Sequence, residues 1–353
     1  MNDSIDSRLN ELDMLRGLAL IGVITVHTVL FFPSGFLMLD NILVLGRFGV
    51  QLFFVISGFT MALVSSRVKI IDKKFIVNFY LKRFLRIIPL LFIASLLYIP
   101  VHLSPSYWNP LGFDFSNYII LYTMLSGFFP ENINNVVPGS WSIINELYFY
   151  IIFPALLYLI NRYSVYTIYL IMILLMFFSS PLEFIIRELY SSSDNNLLDD
   201  FIYLNFLNQL PCFLLGVLAF YLYELKLSSL RRHGLILSSI SLMYFIYWIA
   251  FGGGFLTYII SLSAFAMLMI TLSFKLPYPK VLSQIGKVTY TGYIIHFGII
   301  YLFDWVLYSS QGGFFIVILP ILSLVFYASK ILKPYTEDFF LLQNIRRFNM
   351  RHV

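Results

Sequence analysis

Long apolar runs, separated by short polar or basic stretches, dominate the chain. Ten of them read as candidate spans: 17–32, 48–65, 87–103, 141–160, 164–180, 201–225, 234–251, 255–273, 288–308 and 314–332. A helix needs about 20 apolar residues to cross roughly 30 Å of hydrocarbon. Only helices or closed barrels satisfy their backbone polar groups in lipid. The runs are too long for barrel strands and lack a period of two. The pattern therefore predicts an all-α polytopic membrane protein with about ten transmembrane helices. One apolar segment, 117–129, is too short to join them. Counting it as a span would flip every later loop, so it is read as a re-entrant or interfacial segment on the outer face. It belongs to a long loop, 104–140, rich in Pro, Asn and Tyr.

Charge orients these runs. Arg67, Lys69, Lys73, Lys74, Lys82, Arg83 and Arg86 lie between the second and third runs, and such a cluster is expected on the cytoplasmic side. Alternation then puts Arg162, Arg231, Arg232, Lys275, Lys280, Lys287 and the Arg346/Arg347/Arg351 tail on the same side, with both termini cytoplasmic. The opposite loops hold only Arg47 and Arg187. The expected organisation is a cytoplasmic N-terminal segment (1–16), a single transmembrane domain (17–332) and a basic cytoplasmic tail (333–353).

Composition agrees. The chain is 59% hydrophobic and 12% charged, about half the charge of a soluble domain, so lipid is its expected surrounding. Topology accounts for the basic residues, and no nucleic-acid partner is expected. The lone Cys212 excludes an internal disulfide and a cysteine metal site. No cleavable signal precedes the first run, where Asp3, Asp6, Arg8, Glu11, Asp13 and Arg16 mix both charges. There is no phosphate loop, dinucleotide fingerprint, zinc-type His-Glu-x-x-His or Gly-x-Ser-x-Gly elbow, and no metal is expected.

Several polar positions break the apolar pattern. Arg16 and His27 lie eleven residues apart in the first run, roughly 16 Å along a helix. That places a guanidinium near one membrane surface and an imidazole deep in the bilayer, where ionisable groups usually face a cavity or a pathway. An imidazole suits base catalysis because its pKa of about 6.5 lies near working pH. His27 is thus either a general base or nucleophile, or a core histidine bonded to a neighbouring carbonyl. Arg83 and Arg86 put two guanidiniums on one helix face, a geometry that suits phosphate. Taken alone, the pair is explained as well by topology.

Pro138-Gly139-Ser140 reads as a loop ending in a helix cap. Beyond it, Trp141, Ser142, Asn145 and Glu146 cluster where lipid would favour none of them. Glu146 needs a cationic or hydrogen-bonding partner, and His27 is the expected one. Ser57 and Gly58 permit close helix approach. His296 is a second embedded histidine with an open role, and Asp304, Asn205, Asn208 and Gln209 are further candidates for a cavity wall. His102, His233 and His352 are assigned nothing.

Taken together, these pieces resemble the acyltransferase 3 family of integral membrane acyltransferases. They are Leu12-Asp13-Met14-Leu15-Arg16-Gly17 with His27; Phe48-Gly49-Val50 through Ser57-Gly58-Phe59; Arg83-Phe84-Leu85-Arg86-Ile87-Ile88-Pro89; Trp141-Ser142-Ile143 through Glu146, Phe149-Tyr150 and Pro154; Phe213-Leu214-Leu215-Gly216; and Tyr293 through His296. Ile143 stands where Leu is usual. The resemblance implies transfer of an acyl group, commonly acetyl from acetyl-CoA, to a hydroxyl of an extracytoplasmic or lipid-linked glycan at a bacterial inner membrane. It implies His27 as the catalytic residue, Arg16 as its motif partner, and Arg83 and Arg86 as acyl-CoA contacts. Glu146 matches the acidic position and would orient or stabilise the imidazole. Trp141 or Ser142 would steady the thioester oxyanion, with Asn145 and His296 as further substrate-side candidates. The chain is expected to be the stand-alone type, without a fused soluble transfer domain. Two other classes remain open on the residues alone: a glycan or small-anion transporter, and a structural or sensor protein.

Overall fold

A computed structural model of the chain describes residues 2–66, 68, 71–102, 114–191, 193–224, 256–274, 279–307 and 313–338. Among them there is helix and no strand. The expected span 234–251, the start of the 104–140 loop (104–113), the basic loop holding Arg231 and Arg232, and most of the tail (339–353) lie outside the described residues.

The helices are α1 (Asn2–Phe31), α2 (Leu37–Val44), α3 (Gly49–Ser65), α4 (Lys73–Leu97), α5 (Phe115–Tyr122), α6 (Ser140–Arg162), α7 (Tyr166–Leu189), α8 (Asn195–Leu204), α9 (Phe206–Glu224), α10 (Leu256–Phe274), α11 (Lys280–Gly286), α12 (Thr289–Leu307) and α13 (Phe314–Lys333). Among the described residues, six helical stretches are long and apolar enough to cross a membrane: Asn10–Phe31, Leu37–Ser65, Ser140–Arg162, Asn195–Glu224, Thr289–Leu307 and Phe314–Glu337. The expected spans 87–103, 164–180 and 255–273 fall on α4, α7 and α10, outside those six. Helix α4 begins well before its apolar part and carries Lys73, Lys74, Lys82, Arg83 and Arg86 ahead of its apolar end. Its start is fixed by Asp72, whose side chain accepts from the Phe75 N–H at 2.7 Å. The short apolar segment is helical over Phe115–Tyr122, roughly 12 Å, and then turns through Ser126–Phe128 and Pro130–Asn132.

Helix α1 is the hub, packing against α3, α11, α12 and α13. Lipid is as apolar as leucine, so association of such helices depends on close van der Waals fit and on hydrogen bonds. The α3–α9 seam shows how close that fit is. A Cβ added to Gly58 would stand 2.1 Å from the Phe213 carbonyl oxygen, and one added to Gly216 would stand 2.0 Å from that of Val55. Two glycines on facing helices thus let the backbones touch. Stacked rings of Phe54, Phe213 and Phe149, with centroids 4.5 and 4.4 Å apart, continue the contact to α6.

The packed structure runs past residue 332. The turn Pro334–Asp338 lies against α4, and Thr336 and Glu337, within the stretch expected as tail, are buried.

Candidate active site

Most of the residues singled out from the sequence line two adjoining cavities. The first holds three guanidiniums, those of Arg16, Arg83 and Arg86, together with Glu146. Phe53, Ser57, Thr60, Ser142, Tyr150, Tyr290 and Tyr293 complete much of its wall. Each charged group in it is anchored. Arg16 donates to Asp13 Oδ1 and to Thr60 Oγ1, each at 2.8 Å. Arg83 lies over two rings, its guanidinium carbon 5.6 Å from the centre of Tyr150 and 5.8 Å from that of Phe79. Arg86 Nε is 3.7 Å from Glu337 Oε2, and Glu337 Oε1 accepts from Thr291 Oγ1 at 2.6 Å. Glu146 Oε1 accepts from Ser57 Oγ at 3.0 Å and from the Tyr150 hydroxyl one turn on.

The second and larger cavity holds His27, with Arg47, Asn134, Trp141, Asp200, Tyr203, Phe297 and Tyr301 in its wall. Val50 and Tyr293 line both cavities. Tyr293 is fixed where they meet. Its hydroxyl is 2.8 Å from Ser142 Oγ, which donates to it, and 3.2 Å from the Gly139 carbonyl, which accepts. Gly139 has φ +84°, and a Cβ there would stand 2.8 Å from the Tyr293 oxygen. The turn before α6 therefore requires glycine for its backbone and again for the phenol beneath it.

The partner of His27 is not the one expected. Its Nδ1 lies 2.9 Å from Nε2 of His296, a fully buried ring on α12. Nδ1 of His296 is 2.5 Å from the Tyr293 carbonyl oxygen, and the Phe297 ring packs on both imidazoles at 4.2 and 4.4 Å. Glu146 belongs to the arginine cavity instead.

Helical geometry explains how the run after Pro138 divides. At about 100° per residue, neighbours face different ways. Trp141 lines the His27 cavity, whereas Ser142 and Glu146, a turn apart, line the arginine cavity. Asn145 lines neither; it is buried and donates to the Leu204 carbonyl at 2.8 Å, tying α6 to the end of α8. Glu337 and Thr60 were missed by sequence reading. Thr60 carried a signal, lying three residues beyond Ser57 on the same helix. Glu337 carried none, because an acidic residue after the last apolar run reads as solvated tail. No group of three or more His, Cys, Asp and Glu that could hold a metal occurs among the described residues.

A cavity with three guanidiniums can bind a multiply charged anion such as a phosphorylated donor. The adjoining one offers an imidazole that can take a proton. Comparison with known proteins agrees with this chemistry. The acyltransferase 3 family model, described as an acyltransferase domain, matches residues 9–332. No curated protein and no solved structure matches the chain.

Proposed function

The chain belongs to the acyltransferase 3 family, since that model covers nearly its whole length, and from this premise we propose that it is a membrane O-acyltransferase. In this reading it moves acetyl, or another short acyl group, from acyl-CoA to a hydroxyl of an extracytoplasmic or lipid-linked glycan. The site is the bacterial inner membrane, spanned by about ten helices with both termini cytoplasmic. One observation carries it: three guanidiniums share a cavity that meets the His27 cavity at Val50 and Tyr293.

The arginine cavity opens to the cytoplasm and takes the donor. Arg83 and Arg86 meet its phosphates and Arg16 stands further in. The pantetheine arm runs along α1 toward His27, over roughly the 16 Å set by eleven helical residues. The acceptor hydroxyl enters the His27 cavity, whose Trp141, Tyr203 and Tyr301 present aromatic surfaces. His27 takes the hydroxyl proton as the oxygen attacks the thioester carbon. The C–S bond then breaks, and the thiolate leaves with that proton. An acyl-imidazole on His27 would divide the same transfer into two steps. Ser142 and Tyr293 place hydroxyls at the junction, where the thioester oxygen gathers charge.

Two cavities in line would also serve transport of a glycan or small anion. Mass spectrometry of the host's surface glycans, with and without this gene, separates the readings. An acyltransferase leaves an alkali-labile mass difference of one acyl group. A transporter leaves no new ester, and that result would end the enzyme reading.

A further inference from the structure

We infer that His296 is the positioning residue of His27: it holds the imidazole in the tautomer whose free nitrogen, Nε2, faces the acceptor cavity. The inference deepens the proposed function and rests on His27 being the base.

Hydrogen bookkeeping leads there. A backbone carbonyl only accepts, so His296 Nδ1, 2.5 Å from the Tyr293 oxygen, carries the hydrogen. A neutral imidazole has one N–H, so His296 Nε2 is an acceptor. His27 Nδ1, 2.9 Å away, must then be the donor. The one nitrogen of His27 left with a lone pair is Nε2. His296 lies wholly inside the protein and lines neither cavity, whereas His27 lines the larger one. The buried ring thus meets the cavity through its bond to His27.

During transfer the acceptor proton moves to His27 Nε2 while Nδ1–H keeps donating to His296 Nε2. The cation formed is held between two imidazoles, and the Nε2 proton passes to the departing thiolate. Elsewhere this job is commonly given to a carboxylate that fixes the tautomer of a catalytic histidine. Here a second histidine, itself fixed by a carbonyl, does it without placing a permanent charge in the bilayer core, where charge is costly.

Two measurements test this. The first is 15N NMR of histidine-labelled full-length protein in lipid, with His27 assigned by loss of its signals in His27→Gln. A hydrogen-bearing Nδ1 and a bare Nε2 on His27 are expected; hydrogen on Nε2 in the wild type would overturn the inference. The second is transfer of radiolabelled acetyl from acetyl-CoA into glycan in host membrane vesicles. His296→Leu should lower kcat about 100-fold and leave the KM for acetyl-CoA unchanged. His296→Gln, whose side-chain oxygen can accept where Nε2 did, should recover about tenfold of that loss. Unchanged kcat in His296→Leu, or a Gln variant as slow as the Leu variant, would reduce His296 to packing. A wild type that transfers no label would instead strike the acyltransferase reading, while the NMR result still decides the tautomer.

Discussion

The Tyr293 hydroxyl sits 2.8 Å from Ser142 Oγ, bridging α12 and α6 where the two cavities meet. Removing the oxygen and removing the ring should therefore have different effects. Tyr293→Phe loses two neutral hydrogen bonds, to Ser142 and to the Gly139 carbonyl, about 1 kcal/mol each, and should slow transfer no more than about 30-fold. Tyr293→Ala removes the partition itself. It should raise hydrolysis of acetyl-CoA in the absence of acceptor, as water gains the thioester, while glycan acylation falls. Thiol release measured without acceptor checks this; unchanged hydrolysis in the Ala variant would show that the ring is not a wall.

Arg86 and Glu337 should separate binding from chemistry. Arg86→Gln removes a charge-assisted contact to the donor, about 1.5–3 kcal/mol, and should raise the KM for acetyl-CoA roughly 10- to 100-fold. Glu337→Gln leaves the Arg86 guanidinium in the cavity and removes only the charge of its buried partner, 3.7 Å away. Its KM should rise about fivefold or less. Donor titrations in membrane vesicles distinguish the two; a loss confined to kcat would contradict the assignment of this cavity to the donor.

His27 and Glu146 should fail in different ways. His27→Gln should cut kcat by about 10²- to 10⁴-fold with little change in the KM for acetyl-CoA. Glu146 is bonded to Ser57 and Tyr150 among the arginines, so Glu146→Gln should disturb their arrangement and raise that KM about tenfold. An effect of Glu146→Gln on kcat alone at saturating donor would return the carboxylate to His27.

The α3–α9 seam should be intolerant of one methyl group. Gly58→Ala would set a Cβ 2.1 Å from a backbone oxygen, and overpacking of this kind costs about 1–3 kcal/mol. Gly298→Ala, whose nearest neighbour would be the Tyr98 hydroxyl at 3.5 Å, serves as the control. Thermal unfolding in detergent should show a lowered midpoint for the first and one near wild type for the second.

Much of this was readable in the chain. Apolar length predicted helices at nearly every described span, and the chosen charged residues do gather in cavities. What failed to read was depth and distance. Glu146 and His27 both sit in the apolar zone, but linear spacing does not say which level of the bundle a neighbouring helix presents. His27 and His296 are 269 residues apart, and no local pattern announces that two rings so remote share a hydrogen. Glu337 escaped because charge near a terminus reads as solvated, whereas Arg86 and Thr291 draw it inward.

The shared wall also bears on the membrane as an insulator. Water-filled vestibules entering from both faces would short-circuit the cell's voltage if they joined. At their junction the side chains common to both are the isopropyl of Val50 and the phenol of Tyr293. In the proposed reading, a barrier that thin would keep hydrated ions apart while the tip of a thioester leaned across it. An acyltransferase built this way would trade chemical groups between compartments without spending the gradient that separates them.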